Sequence, residues 1–297
     1  MKQQLLAFIE HLKIEKRVSN YTLSSYQHDL EHLLNYCHTK NIEQWQTLQS
    51  HDIRAHIANR HRQGLSAKSL QRELSAIRSF YRYLLKTQLL DTNPALYVKA
   101  PKAGRKLPKI LDVDQVSGLL DAGTNSLLEI RDVAMFELFY SSGLRLAELA
   151  ALDINDLDFA DRSLIVRSGK GKKTRLLPIG SKAIIALQNW LAVRNNIASP
   201  SETAVFTAKH GKRLGRRSIE IRLEQWCLKK GVNERVHPHI LRHCFASHLL
   251  EASQDLSAVQ ELLGHSSLST TQIYTHLNFQ HLAKVYDKAH PRAKKQS

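Results

Sequence analysis

Residues 155–179 have the sequence NDLDFADRSLIVRSGKGKKTRLLPI, and they decide the fold class of the chain. Two β-favouring runs, 163–167 and 174–179, flank a glycine-rich basic turn, which predicts an antiparallel hairpin. A short strand at 155–159 is expected to precede the hairpin. Because most of the remaining chain shows helical spacing of its apolar residues, the sequence predicts a mainly α-helical protein with one small antiparallel β-sheet.

The helical pattern occurs on both sides of a central interruption. Before it, helices are predicted at about 2–17, 20–38, 50–63 and 66–88. After it, they are predicted at about 112–122, 126–141, 145–151, 181–194, 216–230, 238–252, 255–263 and 269–287. The helix at 66–88 has the clearest apolar stripe, and Ser66 is its expected N-cap.

The interruption is the segment 98–110, VKAPKAGRKLPKI. Two prolines, a glycine and five cations in these thirteen residues make a poor helix and a poor strand. We therefore predict a helical N-terminal domain at 1–97, a basic linker at 98–110 and a mixed C-terminal domain at 111–297.

The charge of the chain points to a polyanionic partner. The 297 residues include 43 Lys and Arg against 27 Asp and Glu, a formal net charge of +16. Cations at phosphates release condensed counterions, which favours nucleic acid binding. An anionic membrane surface and a generally basic soluble surface are the alternatives, and core-forming amphipathic helices disfavour the membrane.

Composition excludes several other classes of protein. Hydrophobic residues make up 42% of the chain, enough for a real core, so wholesale disorder is excluded. The sequence has no apolar run of about 18 residues and no signal-peptide pattern at its N-terminus. The three cysteines, Cys37, Cys227 and Cys244, are far apart and odd in number, so a reducing cytoplasm is the expected compartment.

The first motif is SGLRLAEL at 142–149. Gly143 can end one helix, and Arg145 would then stand at the start of the next, where a helix N-terminus already favours phosphate. Glu148, one turn further on, could orient the arginine. The alternative is an ordinary surface Arg–Glu pair.

The second motif is GKGKKT at 169–174. It lacks the spacing of a phosphate-binding P-loop and leads into a strand instead of a helix. A lysine of this hairpin, such as Lys170, can still reach into a cleft. The alternative is a soluble basic turn.

The third motif is HPHILRH at 237–243. His239 and His243 are four apart, as in some zinc sites, but no glutamate follows His239 and no third ligand has the usual spacing. Arg242 also makes a cation site electrostatically awkward, so no metal is predicted. A phosphate site suits the motif better, with Arg242 as a bidentate clamp and His239 as donor or base.

The last two motifs are LLGHSS at 262–267 and STTQIYTH at 269–276. Gly264 can end a helix, which leaves His265 just outside it. Ser269 suits an N-cap, which would place Tyr274 on a short helix. A lone tyrosine on a helix usually serves packing, so each of these signals is weak by itself.

Taken in this order, the motifs resemble the tyrosine recombinases of the phage integrase family, and within it the Xer branch. The resemblance covers essentially the whole chain. The family's catalytic pattern corresponds here to Arg145, Lys170, His239, Arg242, His265 and Tyr274. It implies a two-domain DNA clamp, with a helical SAM-like core-binding domain and a mixed catalytic domain.

The resemblance also implies a mechanism that needs no cofactor, metal or ATP. Tyr274 would attack a backbone phosphorus and form a 3′-phosphotyrosyl enzyme. By the same resemblance, Arg145 and Arg242 would stabilise the transition state, and His265 would donate a hydrogen bond to the phosphate. Lys170 would protonate the leaving 5′-oxygen, and His239 would act as the general base. Glu148 would orient an arginine or histidine.

The implied partners are a duplex recombination site, a related partner recombinase in a cyclic heterotetramer, and a DNA translocase of the division machinery. The implied role is the resolution of chromosome or plasmid dimers during cell division. Candidate DNA contacts are Arg72, Arg78, Lys102, Arg105, Lys106, Lys172 and Lys173. The helix at about 279–287 and the tail are candidates for docking on a neighbouring subunit; the alternative is packing on their own subunit.

Three other functions are open to this sequence. A type IB topoisomerase shares the nucleophile and the arginines but needs no synapsis, and the short length and Xer-like motifs disfavour it. A non-catalytic DNA-binding relative could lose residues of the catalytic set, so the complete set from Arg145 to Tyr274 disfavours this alternative. A metal-dependent nuclease would need a carboxylate cluster beside the histidines, which the sequence does not offer.

Overall fold

The structure is a computed structural model that describes residues 1–16, 18–102, 110–167, 174–232, 236–264 and 276–293. The chain forms two compact units, Met1–Leu107 and Pro108–Ser297. The boundary between them lies within the segment 98–110. Each unit has its own buried apolar cluster, and each is described by itself.

The described residues of the N-terminal unit form four helices, at the places where the sequence predicts them. Polar caps set the starts of the second and fourth helices: the Ser19 and Ser66 hydroxyls each accept a main-chain N–H three residues on, at 3.2 Å. Gln49 and Asp52 form a capping box at the start of the third helix. The helices are α1 (Lys2–Ile14), α2 (Asn20–Thr39), α3 (Ser50–Arg62) and α4 (Ala67–Lys86).

Helix α4 is the central helix of this unit. Its predicted stripe, including Leu70, Leu74 and Ile77, is fully buried against the other helices. One carboxylate, Glu73, is buried with it and pairs with His56 of α3 at 2.7 Å. A buried charge is tolerated only with such partners, so this pair ties α3 to α4.

The C-terminal unit is built mainly from helices around α6 (Leu127–Ser142), which is buried on nearly every side. Helices α8 (Ser181–Arg194) and α10 (Pro238–Ser253) pack against α6. A helix in the middle of a core is expected to lack a polar face, and α6 is such a helix. The helices of this unit are α5 (Val113–Leu120), α6 (Leu127–Ser142), α7 (Leu146–Ala151), α8 (Ser181–Arg194), α9 (Arg216–Lys229), α10 (Pro238–Ser253), α11 (Leu256–Leu263) and α12 (His276–Ala289).

The sheet has three antiparallel strands in the order β1 (Leu157–Asp158), β2 (Ser163–Arg167) and β3 (Thr174–Pro178). Strand β1 is shorter than predicted, because Ile154–Asp156 forms a 3-10 turn capped by Asp153. On β3, Arg175 and Leu177 share the buried face, since alternate side chains of a strand point to the same side. The predicted fold class, mainly α with a small antiparallel sheet, is confirmed.

Helix α12 packs on its own unit, which is the second of the two alternatives for 279–287; residues 294–297 of the tail lie outside the described residues. Leu282 and Tyr286 are buried, and the Tyr286 hydroxyl lies 2.8 Å from the Ser141 hydroxyl of α6. Beyond α12, Arg292 is buried between two carboxylates, Glu137 and Asp121. The end of the described chain is therefore anchored by ion pairs as well as by apolar contact.

No helix among the described residues is sufficiently long and apolar to span a membrane.

Candidate active site

The candidate site begins at the turn between α6 and α7. Gly143 ends α6 with φ +57°, a left-handed conformation that favours glycine. A Cβ at this position would lie only 2.4 Å from Cδ1 of Phe245 on α10. Gly143 therefore permits both the turn and the close approach of α10, and it brings Arg145 to the N-terminal end of α7 as predicted.

Glu148 holds Arg145 at two points. Its Oε2 accepts the Arg145 main-chain N–H at 2.8 Å, and its Oε1 accepts Nη1 of the same arginine at 2.8 Å. Both contacts follow from the i,i+3 spacing at the start of a helix. The predicted pair therefore forms as one half of a capping box, in which Glu148 accepts the N–H of the N-cap residue, and its second contact sets the direction of the arginine side chain.

A second arginine, Arg175 of β3, binds the same carboxylate. Its two Nη atoms donate to the two oxygens of Glu148, each at 2.8 Å. Burial raises the pKa of the Glu148 carboxyl, but the hydrogen bonds from Arg175 and Arg145 outweigh it and lower the pKa to about 2. Glu148 is therefore ionised at neutral pH and holds two cations together.

Arg242 of α10 comes from a different part of the chain but reaches the same place. It is 8% exposed, and its Nη atoms donate to the main-chain carbonyls of Gly143 and Leu263, the latter at 2.7 Å. Burial, followed by the nearby charge of Arg145, lowers the pKa of the Arg242 guanidinium to about 10. The side chain is still cationic at neutral pH.

The two arginines meet at the C-terminal end of α11. Nη2 of Arg145 donates to the carbonyls of Leu263 at 3.3 Å and Gly264 at 3.1 Å. Helix C-terminal carbonyls carry partial negative charge, which favours guanidinium groups. Two guanidiniums, those of Arg145 and Arg175, bind the Glu148 carboxylate, and Arg242 lies close enough to interact with its charge. This excess of positive charge is suited to binding an anion.

His239 lies at the exposed start of α10, one turn before Arg242. The i,i+3 spacing puts the two side chains on the same side of the helix. The ring of His239 is 6.0 Å from that of His243, centroid to centroid. His239 is therefore accessible to a substrate, as a donor or base must be.

The remaining catalytic candidates, Lys170, His265 and Tyr274, lie outside the described residues. Their neighbours in the sequence are within the site. Arg175 follows the Lys170 segment on β3, and Gly264, which precedes His265, accepts a hydrogen bond from Arg145.

Two of the DNA-contact candidates, Arg72 and Arg78, have partners within the N-terminal unit. Arg72 makes a bidentate ion pair with the buried Asp29, with both distances 2.9 Å. Arg78 donates to the carbonyls of Ala95, at 3.0 Å, and Val98. Lys102 is exposed. Arg105, Lys106, Lys172 and Lys173 lie outside the described residues.

Arg175 was not among the site residues predicted from the sequence. A signal was available, because strand alternation puts position 175 on the same side as the apolar Leu177. A charged residue on the apolar face of a strand needs a buried partner of opposite charge. That partner, Glu148, precedes it by 27 residues and could not be identified from spacing.

Comparisons with known proteins agree along the whole chain. Residues 5–88 match the phage integrase N-terminal SAM-like domain, and residues 109–281 match the phage integrase family. The chain is 52% identical over 296 residues to the tyrosine recombinase XerC of Pseudomonas fluorescens strain Pf0-1, with 99% of this chain and 98% of that protein covered. It is 50% identical over 292 residues to the tyrosine recombinase XerC of Actinobacillus pleuropneumoniae serotype 7 strain AP76, covering 98% and 95%.

A solved structure shows the same fold. It is the post-cleavage complex of the XerH site-specific recombinase with a palindromic difH substrate. The TM-score is 0.72 at 21% identity, and the match covers 97% of this chain and 84% of that one.

Proposed function

The chain belongs to the phage integrase family of tyrosine recombinases, and from that premise we propose that it is a site-specific recombinase. It cuts and rejoins duplex DNA through a 3′-phosphotyrosyl intermediate. The observation that carries the proposal is the convergence of Arg145 and Arg242 on the end of α11, with Glu148 holding Arg145. That arrangement suits a backbone phosphate.

In the proposed mechanism the hydroxyl oxygen of Tyr274 attacks the phosphorus. The P–O bond to the 5′-oxygen breaks, and the products are a 3′-phosphotyrosyl ester and a free 5′-hydroxyl. His239 accepts the tyrosine proton, and Lys170 donates a proton to the leaving oxygen. Because the new ester retains the free energy of the phosphodiester, a 5′-hydroxyl can reverse the reaction without ATP.

The arginines act on the transition state. Attack gathers negative charge on the non-bridging oxygens, and Arg145 and Arg242 stabilise that charge, with a further hydrogen bond from His265. Arg242 is buried and held by two carbonyls, so little reorganisation is needed when charge develops. Loss of one such group should slow cleavage roughly 10²- to 10³-fold.

In this proposal, residues 1–97 form the DNA-binding domain, 98–110 form a basic linker and 111–297 form the catalytic domain. The two domains would form a clamp on the duplex. The cations named in the sequence, from Arg72 to Lys173, would contact phosphates. Asp29 engages the Nε and Nη2 of Arg72, and within the described part of the chain this leaves Nη1 for such a contact.

The proposed biological role is the resolution of chromosome or plasmid dimers at a specific site during cell division. The protein would act in the cytoplasm, in a cyclic heterotetramer on DNA with an XerD-like partner recombinase. A DNA translocase of the division machinery would control it. The support for this role is the 50–52% identity to proteins named XerC over nearly the full chain.

Two alternative functions make different experimental predictions from those of a site-specific recombinase. A type IB topoisomerase-like enzyme would relax supercoiled DNA of any sequence as a monomer. A non-catalytic relative would bind DNA without forming a covalent product.

The test is covalent trapping on a nicked duplex that carries a Xer-type recombination site, labelled on the cleaved strand, in EDTA. The nick lets the short 5′-hydroxyl fragment diffuse away, so the intermediate accumulates. A protease-sensitive, slowly migrating band is expected with the unmodified protein and not with Tyr274→Phe. If DNA is bound but no band forms, even with a partner recombinase added, the protein is the non-catalytic relative.

A further inference from the structure

Arg175 occupies an unusual place for a charged residue. It is the second residue of β3, on the buried face of the sheet, with its side chain only 7% exposed. Both of its Nη atoms are engaged by Glu148 at 2.8 Å. A guanidinium in this position cannot readily leave its carboxylate to bind DNA, because that would strand a buried charge.

The partner of Arg175 is the residue that orients Arg145. Glu148 Oε1 accepts from both Arg175 Nη1 and Arg145 Nη1, and Glu148 Oε2 accepts from Arg175 Nη2 and the Arg145 main chain. A bidentate arginine fixes both the position and the plane of a carboxylate. The direction of Arg145 therefore depends on Arg175 through one shared side chain.

Arg175 also lies against the segment that receives Arg145. A Cβ at Gly264 would be 3.3 Å from both Cζ and Nε of Arg175, and Gly264 has φ +64°. The Gly264 carbonyl accepts Nη2 of Arg145 at 3.1 Å. The Arg175 side chain thus binds Glu148, which accepts Nη1 of Arg145, and lies beside Gly264, whose carbonyl accepts Nη2 of Arg145.

We propose that Arg175 is a positioning residue for strand cleavage, which fixes Glu148 and through it the phosphate-binding direction of Arg145. This inference rests on the proposed function. Arg175 does not itself touch the phosphate. Its removal should leave DNA binding intact and weaken only the stabilisation of the charged transition state.

The test compares Arg175→Gln with the unmodified protein on the nicked duplex at saturating protein concentration. Covalent-complex formation should slow about 10- to 100-fold, as for other small misplacements of a catalytic group. The DNA dissociation constant should stay within about 3-fold, the pattern of a group that acts in the transition state. Arg175→Lys should restore little, because an ammonium group cannot bind a carboxylate in a bidentate fashion.

A second substrate separates positioning from a general packing role. It carries a methylphosphonate at the scissile position, so that a non-bridging oxygen is replaced by an uncharged methyl group. If Arg175 acts through Arg145, the penalty of Arg175→Gln should largely disappear on this neutral substrate, because there is less charge to stabilise. An equal slowing on both substrates would indicate a packing defect and overturn the inference.

Arg222→Gln is the matched control. Arg222 of α9 also makes a two-point ion pair, with Asp132 of α6 at 2.6 and 2.5 Å, and shares no residue with the Glu148 network. It should cleave both substrates at the unmodified rate. If the unmodified protein forms no covalent product, both the proposed function and this inference are overturned. If Arg175→Gln cleaves as fast as the unmodified protein, only the inference is overturned.

Discussion

Arg242 and Arg145 donate to the same main-chain oxygen, the carbonyl of Leu263, at 2.7 and 3.3 Å. Two like charges share this acceptor because it lies at the C-terminal end of α11, where the last carbonyls have no partner within the helix. The proximity of Arg145 contributes to the lowered pKa of Arg242. The positive charges of Arg145 and Arg242 repel each other. In the free protein, the carbonyls that they bind and the Glu148 carboxylate offset this repulsion, and a bound phosphate would offset it further.

Glu148 should make the stability of the C-terminal unit depend on pH in the acid range. Its folded-state pKa is about 2, below the ordinary 4.5, so its contribution is complete above pH 4.5 and is lost as pH falls toward 2. Glu148→Gln should lower the free energy of unfolding by about 3 kcal/mol at pH 7. The difference from the unmodified protein should shrink below pH 4.5 in urea unfolding followed by tryptophan fluorescence.

Glu220→Gln is the control for that prediction. Glu220 pairs with Arg217 at 3.3 Å on the exposed face of α9, where an ion pair contributes little. Its replacement should leave the pH profile of stability unchanged. A Glu148→Gln protein whose deficit is the same at pH 7 and pH 3 would show that the carboxylate charge is not the cause.

Gly143→Ala should severely destabilise the C-terminal unit. The backbone at this position is left-handed, and the added methyl group would meet Phe245 at 2.4 Å on a well-packed helix. The left-handed conformation alone costs about 1–2 kcal/mol for a residue with a Cβ, and the clash adds to it. Thermal unfolding should show a large drop in Tm, or the protein should fail to fold.

Gly118→Ala should increase stability, in contrast to Gly143→Ala. Gly118 is inside α5, and a Cβ there would have open space. The substitution should raise stability by about 0.5–1 kcal/mol, because glycine weakens a helix interior. Equal Tm values for the two alanine variants would contradict the assigned role of Gly143.

Arg72 should serve both the packing of the N-terminal unit and DNA binding. Arg72→Gln removes the partner of Asp29, which is 1% exposed, and should cost about 1–3 kcal/mol. It should also reduce the slope of log affinity against log salt by about 1, the signature of one lost phosphate contact. Asp29→Asn should reduce stability and leave that slope intact. An unchanged slope in Arg72→Gln would assign Arg72 to packing alone.

Arg292 should anchor the end of the chain in the isolated protein. Its Nε lies 2.9 Å from Glu137 Oε2, and its Nη2 lies 2.8 Å from Asp121 Oδ1. Arg292→Met leaves the buried Glu137 carboxylate without its cation and should cost about 3–5 kcal/mol. The expected readouts are a lower Tm and faster proteolysis of the C-terminal segment.

The double variant Arg292→Met, Glu137→Gln tests the cause. Removal of both charges should recover part of the lost stability, because no uncompensated ion remains buried. If the double variant is less stable than Arg292→Met, apolar packing, and not charge pairing, holds the segment.

Local patterns predicted the helices of the described chain closely. Capping residues such as Ser19 and Ser66, and apolar spacing such as that of α4, act over a few residues and are visible in a single sequence. Strand β1 was less predictable, because Asp153 and Asp156 cap a 3-10 turn in the place where its first residues were expected. The positions of Arg145 at a helix start and Arg242 on α10 also followed from local sequence.

The family, the fold class and the order of the catalytic candidates could be predicted from the sequence, since these depend on spacing along the chain. Which side chains and carbonyls lie in contact depends on the tertiary structure. Arg242 reaches Gly143 across 99 residues, and Arg145 reaches Leu263 across 118. Such contacts depend on how α6, α7, α10, α11 and β3 pack, and packing at long separation leaves no periodic signal. Arg175 became visible as a partner of Glu148 only in the folded unit for the same reason.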